Sequence, residues 1–270
     1  MNNNETWGLY MAKPNIGISM LYCLAEPFNK MVAHIPETGS SLIELVDEGS
    51  HALNKNRAII LKELASSYSL KYTVHAPFAG VNIALSNGVL LKASLKRLKT
   101  SVINASLLES ELWIYHPGLK TGISMFYPGI DWKNNIESVR YINRIASEIG
   151  QKVAIENGLN MFILSTVEDF RKFFEEIDEN VCLVLDTGHA NLLGRVEAFL
   201  TEFSNEIVHL HVHDNNGKID EHLGVAYGNI NWHRVLSLLN KMRFDGSIII
   251  EAVTHWKETR EKLEQSLTYL

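Results

Sequence analysis

Residues 181–214 read VCLVLDTGHANLLGRVEAFLTEFSNEIVHLHVHD and contain two apolar runs separated by an amphipathic stretch. An apolar run, Val181–Leu185, ends in Asp186, and a second run, Glu206–Val212, follows the amphipathic stretch Val196–Phe203. Short runs rich in Val, Ile and Leu that end in turn-forming or polar residues are typical of buried strands. A strand, a helix and another strand in this order predict parallel strands joined by a right-handed crossover.

The same alternation extends outward in both directions along the chain. Six further strands are predicted at Asn15–Ser19, Ser41–Val46, Lys71–Val74, Leu112–Tyr115, Lys152–Ile155 and Ser247–Ile250. Helices are predicted at Val89–Leu108, Trp132–Ile149, Val167–Ile177, Val196–Phe203, Trp232–Met242 and Lys257–Leu267. The stretch Leu21–Gly39, which contains Pro27 and Pro36, is expected to be irregular and to overhang one end of the fold.

Eight βα units in roughly 250 residues match the size of a closed (β/α)8 TIM barrel, an α/β fold with its functional site at the carboxyl ends of the strands. We therefore expect a single barrel domain over residues 1–270. The rival fold is an open doubly wound sheet, which usually has a glycine-rich turn after its first strand. The residues after Ser19 do not have such a turn.

Composition narrows the class of protein. The chain has 270 residues, 46% hydrophobic and 21% charged, which is typical of a soluble globular protein. Its net charge of -6 gives no electrostatic signal for nucleic acid, and its apolar runs are too short to span a membrane. Only two cysteines occur, Cys23 and Cys182, and the first residues lack a signal-peptide pattern. We expect a cytoplasmic protein. Its composition is compatible with a homo-oligomer.

Residues that can bind metal or transfer protons follow six successive predicted strands. They are His75, His116, Glu156, Asp186, His211 and Glu251. His189 follows Asp186 closely, and His211 is the middle member of the alternation His209, His211 and His213. Asp220 and His222 lie in the loop that follows the strand with His211. Taken singly, each has an ordinary structural explanation as a turn or cap residue. Because the strand ends of a barrel converge, the set as a whole predicts one polar site.

Carboxylates that converge on a barrel axis repel one another unless a cation neutralises them. Glu156, Asp186 and Glu251 therefore predict a divalent metal ion. Imidazole and carboxylate ligands together suit Zn, Mn, Co or Mg, and the absence of cysteine ligands argues against a structural zinc site.

These segments resemble the xylose isomerase-like TIM barrel superfamily over nearly the whole chain. The segments that carry the resemblance are His75-Ala76-Pro77, His116-Pro117-Gly118, Glu156-Asn157, Asp186-Thr187-Gly188-His189, His211-Val212-His213-Asp214, Asp220-Glu221-His222 and Glu251. The superfamily contains sugar isomerases and epimerases as well as the endonuclease IV (AP endonuclease family 2) branch.

The two branches imply different numbers of ions. The resemblance to the sugar branch implies one ion held by Glu156, Asp186, His211 and Glu251. The resemblance to the endonuclease branch implies a cluster of three zinc ions that adds His75, His116, His189, Asp220 and His222. Clustered zinc ions would support phosphodiester hydrolysis, the alternative function, and DNA is an expected partner only in that case.

The residues around the ligands favour the sugar branch. The endonuclease branch has Asp-Thr-Cys-His where this chain has Gly188, and Asn-Asp-Ser-Lys where it reads His213-Asp214-Asn215-Asn216-Gly217. The later run Asp220-Glu221-His222-Leu223 is closer to the isomerase pattern, although Ala226-Tyr227-Gly228 departs from that pattern's Gly-Glu-Gly. DNA cleavage would also need a basic surface, and the early loops lack clustered Arg and Lys.

We therefore predict a metal-dependent isomerase or epimerase of a small sugar-like substrate. Glu156 and Glu251 are expected to act as base and acid through an enediolate, with His189 bonding a substrate oxygen. His213 and Asp214 are predicted to orient His211. Four aromatic residues, Phe78, Trp113, Trp132 and Tyr127, are expected to be packing residues, with a place in the pocket wall as the alternative for Phe78 because it follows His75-Ala76-Pro77. Four histidines, His34, His51, His233 and His255, are expected to be surface or structural. A sugar-binding barrel without turnover is the non-enzymatic alternative.

Overall fold

The computed structural model describes residues 14–267 and has eight parallel strands that close into a barrel in chain order. The strands are β1 (Asn15–Ser19), β2 (Leu42–Val46), β3 (Lys71–His75), β4 (Leu112–Tyr115), β5 (Val153–Glu156), β6 (Cys182–Asp186), β7 (Ile207–Val212) and β8 (Ser247–Ile250). β1 pairs with β8, with Asn15 opposite Ser247, which closes the barrel. The predicted (β/α)8 fold is confirmed, and the open sheet is excluded.

Helices surround the barrel. Over residues 14–267 they are α1 (Phe28–Glu37), α2 (Lys55–Tyr68), α3 (Gly88–Leu107), α4 (Ile130–Glu148), α5 (Val167–Glu176), α6 (Thr187–Leu192), α7 (Val196–Glu202), α8 (Trp232–Lys241) and α9 (Trp256–Leu267). The six helices predicted from apolar stripes all occur, with ends shifted by a few residues. Within the described part of the chain, none of these helices is long and apolar enough to cross a membrane.

The expectation of an irregular segment at Leu21–Gly39 was wrong. A short 3-10 turn at Met20–Cys23 leads into α1, which buries Met31 and Ile35 on one face. The two residues are four apart and therefore share a side of the helix. Pro36 lies in the last turn, one residue before the helix ends, so this proline does not prevent the helix from forming.

Helix α2 was not among the predicted helices because its sequence has no apolar stripe. Its buried residues are Ala58 and Leu61, whereas Ile59 and Ile60 between them are 49% and 45% exposed. Apolar residues therefore occur around the whole helix, and periodicity cannot identify it. Asn54 begins the helix by accepting a hydrogen bond from the Arg57 backbone N–H.

Two hydrophobic clusters lie on opposite sides of the strands. The larger one fills the space between the strands and the helices and includes Trp113, Phe170 and Phe199, which are fully buried. The smaller one lies inside the barrel and consists of Leu112, Ile114, Ala154 and Val184 on β4, β5 and β6. The interior side of β2, β3 and β7 is polar instead, with Glu44, Thr73, His209 and His211 buried there. This polar part leads to the site described below.

Candidate active site

The four residues predicted to hold one ion converge at the carboxyl end of the barrel. Glu156 and Asp186 end β5 and β6, His211 lies in β7, and Glu251 follows β8. One potential ligand atom from each lies within 4.8 Å of the others, and all four side chains are buried. Three carboxylates and one imidazole so close together match the donor set of a divalent cation.

The remaining predicted residues surround this group. His75 Nε2 and His116 Nε2 lie 3.3 and 3.1 Å from Glu156 Oε2. On the other side, His189 Nε2 and His222 Nε2 lie 3.4 and 3.1 Å from Asp220 Oδ2. These five residues line one pocket of about 330 Å³ together with Glu156 and Glu251. The structure therefore brings all nine predicted residues together, and their roles as ligands stay predictions.

The geometry of His211 tests whether the residues fit a metal. Its Nδ1 lies 3.4 Å from Glu156 Oε1 and 3.5 Å from Glu251 Oε2. This atom is buried and lacks a hydrogen-bond partner among the described residues. When the ring is neutral and its proton lies on Nε2, Nδ1 presents a buried lone pair to the two carboxylates, which is unfavourable unless a cation lies between them. The residues present thus fit a divalent ion.

The two glutamates of this group have opposite pKa shifts. Burial alone would raise the pKa of Glu156, but the charges of His116 and His211 outweigh it and hold the pKa well below its usual range. Burial raises the pKa of Glu251, with nearby Glu44 and Glu156 acting in the same direction and His211 against it. Neighbouring carboxyl groups in different environments are a common feature of acid–base sites.

Three of the pocket histidines have their ring orientation fixed by the backbone. The Nδ1–H groups of His75, His189 and His222 donate to the carbonyl oxygens of Ala76, Asn157 and Glu251 at 2.8, 2.9 and 3.0 Å. Because a carbonyl oxygen can only accept, Nε2 of each neutral ring carries the free lone pair. That atom faces the carboxylates of the pocket in each case.

The predicted roles of His213 and Asp214 were wrong. His213 Nε2 contacts Asp186 Oδ2 at 3.0 Å rather than His211. Asp214 accepts hydrogen bonds from the backbone of Ala226 and Ile230 and from the indole of Trp232, so it anchors the loop before α8. Side chains two apart on a strand share a face but lie roughly 6.6 Å apart, which explains why His211 and His213 reach different partners.

Sequence reasoning missed two residues that support the site. Glu44 on β2 accepts a hydrogen bond from His211 Nε2 at 3.2 Å, and its only signal was a charged residue inside the apolar strand Leu42–Val46. The Asn157 side chain makes two hydrogen bonds to the backbone of Asp186. Its Oδ1 accepts from the Asp186 N–H at 2.7 Å, and its Nδ2 donates to the Asp186 carbonyl at 3.1 Å. Its position next to Glu156 was noted, but a backbone-bonding role leaves no pattern in the sequence.

The rest of the pocket wall is apolar. It consists of Leu21, Val46, Phe78, Leu159, Met161 and Phe162, and none of the described residues that line the pocket is Lys or Arg. Phe78 lies in the wall, so the alternative given for this residue holds rather than the packing role. Trp113 is buried in the core, Trp132 donates to Glu176, and Tyr127 is exposed. The wall suits a small molecule with little negative charge.

A larger cavity of about 630 Å³ lies at the opposite, amino end of the strands. Its lining includes Leu112, Lys152, Cys182 and Ser247, each at or next to the start of a strand. Functional sites of this barrel class lie at the carboxyl end, so size does not identify the site here. The smaller pocket contains the convergent ionisable groups and is the candidate active site.

A closed parallel barrel with one imidazole and three carboxylates at the ends of its last four strands defines a TIM-barrel protein with a candidate metal centre. The chain belongs to the xylose isomerase-like TIM barrel family, which residues 32–270 match. An uncharacterised protein of Methanocaldococcus jannaschii is 33% identical over 257 residues, covering 93% of this chain and 87% of that protein. The resemblance drawn from the sequence is confirmed.

Solved structures share the same barrel. A D-tagatose 3-epimerase-like protein superposes with a TM-score of 0.88 at 31% identity, covering 94% of this chain and 97% of that one. An L-ribulose 3-epimerase superposes with a TM-score of 0.80 and covers 95% of each chain. At 15% identity, this second likeness shows the fold alone.

Shorter matches fall in both branches of the family. The D-psicose 3-epimerase of Ruminiclostridium cellulolyticum is 26% identical over 125 residues, covering 45% of this chain and 41% of the enzyme. A probable endonuclease 4 of Halothermothrix orenii is 27% identical over 189 residues, covering 62% of this chain and 66% of that protein. These partial matches do not decide between the branches, so the choice depends on the site itself.

Proposed function

We propose that the protein is a divalent-metal-dependent epimerase or isomerase of a small ketose or ketose-like compound. The observation that carries this proposal is that Glu156 and Glu251 both approach the same ring nitrogen of His211, at 3.4 and 3.5 Å, inside one small pocket. Two carboxylates from strands β5 and β8 can reach a substrate carbon from different directions. That arrangement suits removal of a proton by one group and its return by the other.

The chemistry is a proton transfer without net oxidation. One glutamate takes the proton on the carbon next to the substrate carbonyl, and the electron pair moves onto the carbonyl oxygen. The other glutamate, which holds a proton at the start, then delivers it to the same carbon on the opposite face while the electron pair returns from the oxygen, and this gives the epimer. Delivery to the former carbonyl carbon gives the isomer instead, with the proton of the neighbouring hydroxyl passing to the former carbonyl oxygen. A divalent ion held by Glu156, Asp186, His211 and Glu251 would polarise the carbonyl and stabilise the charge that develops on its oxygen.

His189 is the residue proposed to hold a substrate oxygen. Its Nδ1–H bond to the Asn157 carbonyl at 2.9 Å fixes the ring, and its Nε2 lies 3.4 Å from Asp220 Oδ2 at the pocket wall. His189 also follows Asp186 in α6, where its backbone N–H donates to Asp186 Oδ1 at 2.7 Å. The same short segment thus positions a carboxylate and an oxygen-binding imidazole.

The pocket supports a small substrate. Its volume of about 330 Å³ and its apolar wall suit a single sugar rather than a polymer. The D-psicose 3-epimerase that matches part of this chain is named for a ketose of this size, and a D-tagatose 3-epimerase-like protein is 31% identical to the chain. We therefore place the substrate among unphosphorylated ketoses and related polyhydroxy ketones.

Hydrogen exchange with solvent tests the proposal. Wild-type protein loaded with Mn²⁺ is incubated in D2O with D-psicose, D-tagatose, D-fructose or L-ribulose, and loss of the carbon-bound proton is followed by NMR. We expect exchange with at least one ketose, lost in Glu251→Gln and kept in the exposed control Glu258→Gln. Binding without exchange would favour a sugar-binding barrel and would contradict the proposal.

Phosphodiester hydrolysis is the second candidate, because all nine residues implied by the endonuclease branch lie together. Two observations weigh against it. Gly188 stands where that branch has cysteine, and its place allows His213 to bind Asp186 at 3.0 Å. The pocket wall also lacks Lys and Arg among its described residues, although phosphate contacts normally use them.

A further inference from the structure

Glu44 lies in the polar part of the barrel interior, directly behind His211. Its side chain is fully buried, and its Oε2 is within 3.2 Å of His211 Nε2 and 3.1 Å of Thr73 Oγ1. His209 Nε2 lies 3.3 Å from the same oxygen. A carboxylate at this depth is unfavourable unless donors satisfy it. The His211 ring and the Thr73 hydroxyl donate to Oε2, and the His209 ring lies beside it.

Through its contact with Glu44, the His211 ring has the opposite orientation to three other histidines of the pocket. His75, His189 and His222 use Nδ1–H to donate to backbone carbonyls and turn Nε2 toward the carboxylates. His211 instead turns Nε2 toward Glu44 and Nδ1 toward Glu156 and Glu251. Because a carboxylate accepts hydrogen bonds, Glu44 requires the proton of a neutral His211 to sit on Nε2.

We propose that Glu44 is a positioning residue that fixes the orientation and tautomer of His211, so that the bare Nδ1 lone pair faces the metal-binding carboxylates. This inference rests on the proposed function, since it assumes that His211 is a metal ligand. A carboxylate on the far nitrogen of a ligating imidazole orients the ring and strengthens its donation to a metal. Glu44 does not touch the pocket, and its effect reaches the site through His211.

The position of Glu44 in the barrel supports a role beyond packing. Elsewhere the interior contains the apolar residues Ile114, Ala154 and Val184, which need no hydrogen-bond partners. Glu44 lies opposite Thr73 in the β2–β3 register, and His211 lies opposite Asp186 in the β6–β7 register. Strand pairing thus sets Asp186 beside His211, while Glu44 reaches His211 across the barrel interior from a strand that does not pair with β7.

Metal binding without sugar tests the inference. The Kd for Mn²⁺ is measured by calorimetry on wild-type protein, on Glu44→Gln, and on the control Thr73→Val, which touches Glu44 but leaves the His211 contact in place. We expect Glu44→Gln to bind Mn²⁺ about 10- to 100-fold more weakly, the range typical for partners of metal-ligating histidines. Thr73→Val is expected to stay within about threefold of wild type, because the His211 contact is intact.

A spectroscopic measurement on the wild-type protein tests the inference without relying on the fold of Glu44→Gln. Long-range ¹⁵N–¹H spectra of the Zn²⁺-loaded protein, assigned with single histidine substitutions, report which nitrogen of His211 carries the proton. We expect the proton of His211 to be on Nε2 and Nδ1 to carry none. A protonated Nδ1, or a folded Glu44→Gln protein with wild-type Mn²⁺ affinity, would overturn the inference and leave the proposed function standing. Failure of wild-type protein to bind Mn²⁺ would overturn both.

The proposed activity can also fail while the inference about Glu44 stands. If wild-type protein binds Mn²⁺, Glu44→Gln weakens that binding, and no ketose exchanges its carbon-bound hydrogen, then the positioning role of Glu44 is supported. In that case it is the proposed epimerase or isomerase activity that fails.

Discussion

The ring of His213 fills the space that a side chain on Gly188 would need. A Cβ on Gly188 would lie 1.9 Å from His213 Cε1 and 2.4 Å from Nδ1. The glycine is therefore required for close approach rather than for backbone freedom. It lets His213 reach Asp186 Oδ2 at 3.0 Å, so one of the candidate ligands is oriented from the next strand.

Gly188→Ala is expected to displace His213 and loosen Asp186. Overpacking of this kind typically lowers the free energy of unfolding by about 1–3 kcal/mol. Loss of the His213 contact should also weaken Mn²⁺ binding about tenfold. Urea denaturation and calorimetry measure the two effects. Gly88→Ala is the matched control, because a Cβ there meets nothing within 4 Å. Equal values for Gly188→Ala and wild type would contradict the account.

Glu156→Gln is expected to abolish turnover while the barrel stays folded. The substitution keeps the shape of the side chain but removes a proton acceptor and a ligand charge, and loss of general acid–base catalysis alone typically reduces the rate about 10²- to 10⁴-fold. Circular dichroism checks the fold, and ketose exchange measures the activity. A folded Glu156→Gln protein with more than about a tenth of wild-type activity would exclude Glu156 as acid or base.

Glu48 is expected to affect substrate binding through Phe78. Its Oε2 accepts hydrogen bonds from the backbone N–H groups of Phe78 and Ala79 at 3.0 and 2.9 Å, which holds the pocket wall in place. Glu48→Ala should raise KM about 3- to 10-fold with a smaller change in kcat, since charge-assisted bonds at a partly exposed site are of modest strength. Steady-state kinetics with the exposed control Glu63→Ala measure the difference. A change confined to kcat would argue against this role.

His51 is expected to make stability depend on pH. Burial lowers the pKa of its imidazole, whose Nε2–H donates to the Glu26 carbonyl at 2.9 Å. The unfolded chain therefore binds more protons, so the stabilisation is full above about pH 6.5 and is lost as pH falls through the lower pKa of the folded state. Urea denaturation at pH 8 and pH 5.5 measures this. The stability advantage of wild type over His51→Gln should shrink at the lower pH; an unchanged advantage would refute it.

Incision of DNA is expected to be absent at physiological salt. Each phosphate contact adds close to one unit to the salt slope of binding, so weak affinity at low salt should vanish near about 0.15 M. A gel assay with an abasic duplex checks this. Incision at that salt, abolished by His75→Ala and by His116→Ala, would move the protein to the endonuclease branch without changing its fold.

The alternation of strands and helices made the barrel predictable. Each strand end marks the start of a loop, and closure of the barrel places all such ends on one side, so His75, His116, Glu156 and Asp186 could be grouped from the sequence. Helix α1 could not be recognised because Pro27 and Pro36 suggested an irregular chain, although both prolines lie at its ends.

The contacts between the site residues were not predictable to the same degree. Spacing shows that His209, His211 and His213 share a face, but it does not show that His213 reaches Asp186 while His209 and His211 reach Glu44. Those partners come from other strands, and the barrel register decides which residues meet. Long-range pairings of this kind leave no local signal in one sequence.

Titration of metal-stripped protein with Mn²⁺ shows whether one ion bound by the four candidate ligands is needed for activity. Carbon–hydrogen exchange of a ketose in D2O is measured at increasing equivalents of Mn²⁺ per chain. The account predicts no exchange before metal is added and a linear rise that levels off at one equivalent, bound by Glu156, Asp186, His211 and Glu251. Exchange that is independent of metal, that levels off only at two or three equivalents, or that never occurs with any ketose would contradict it.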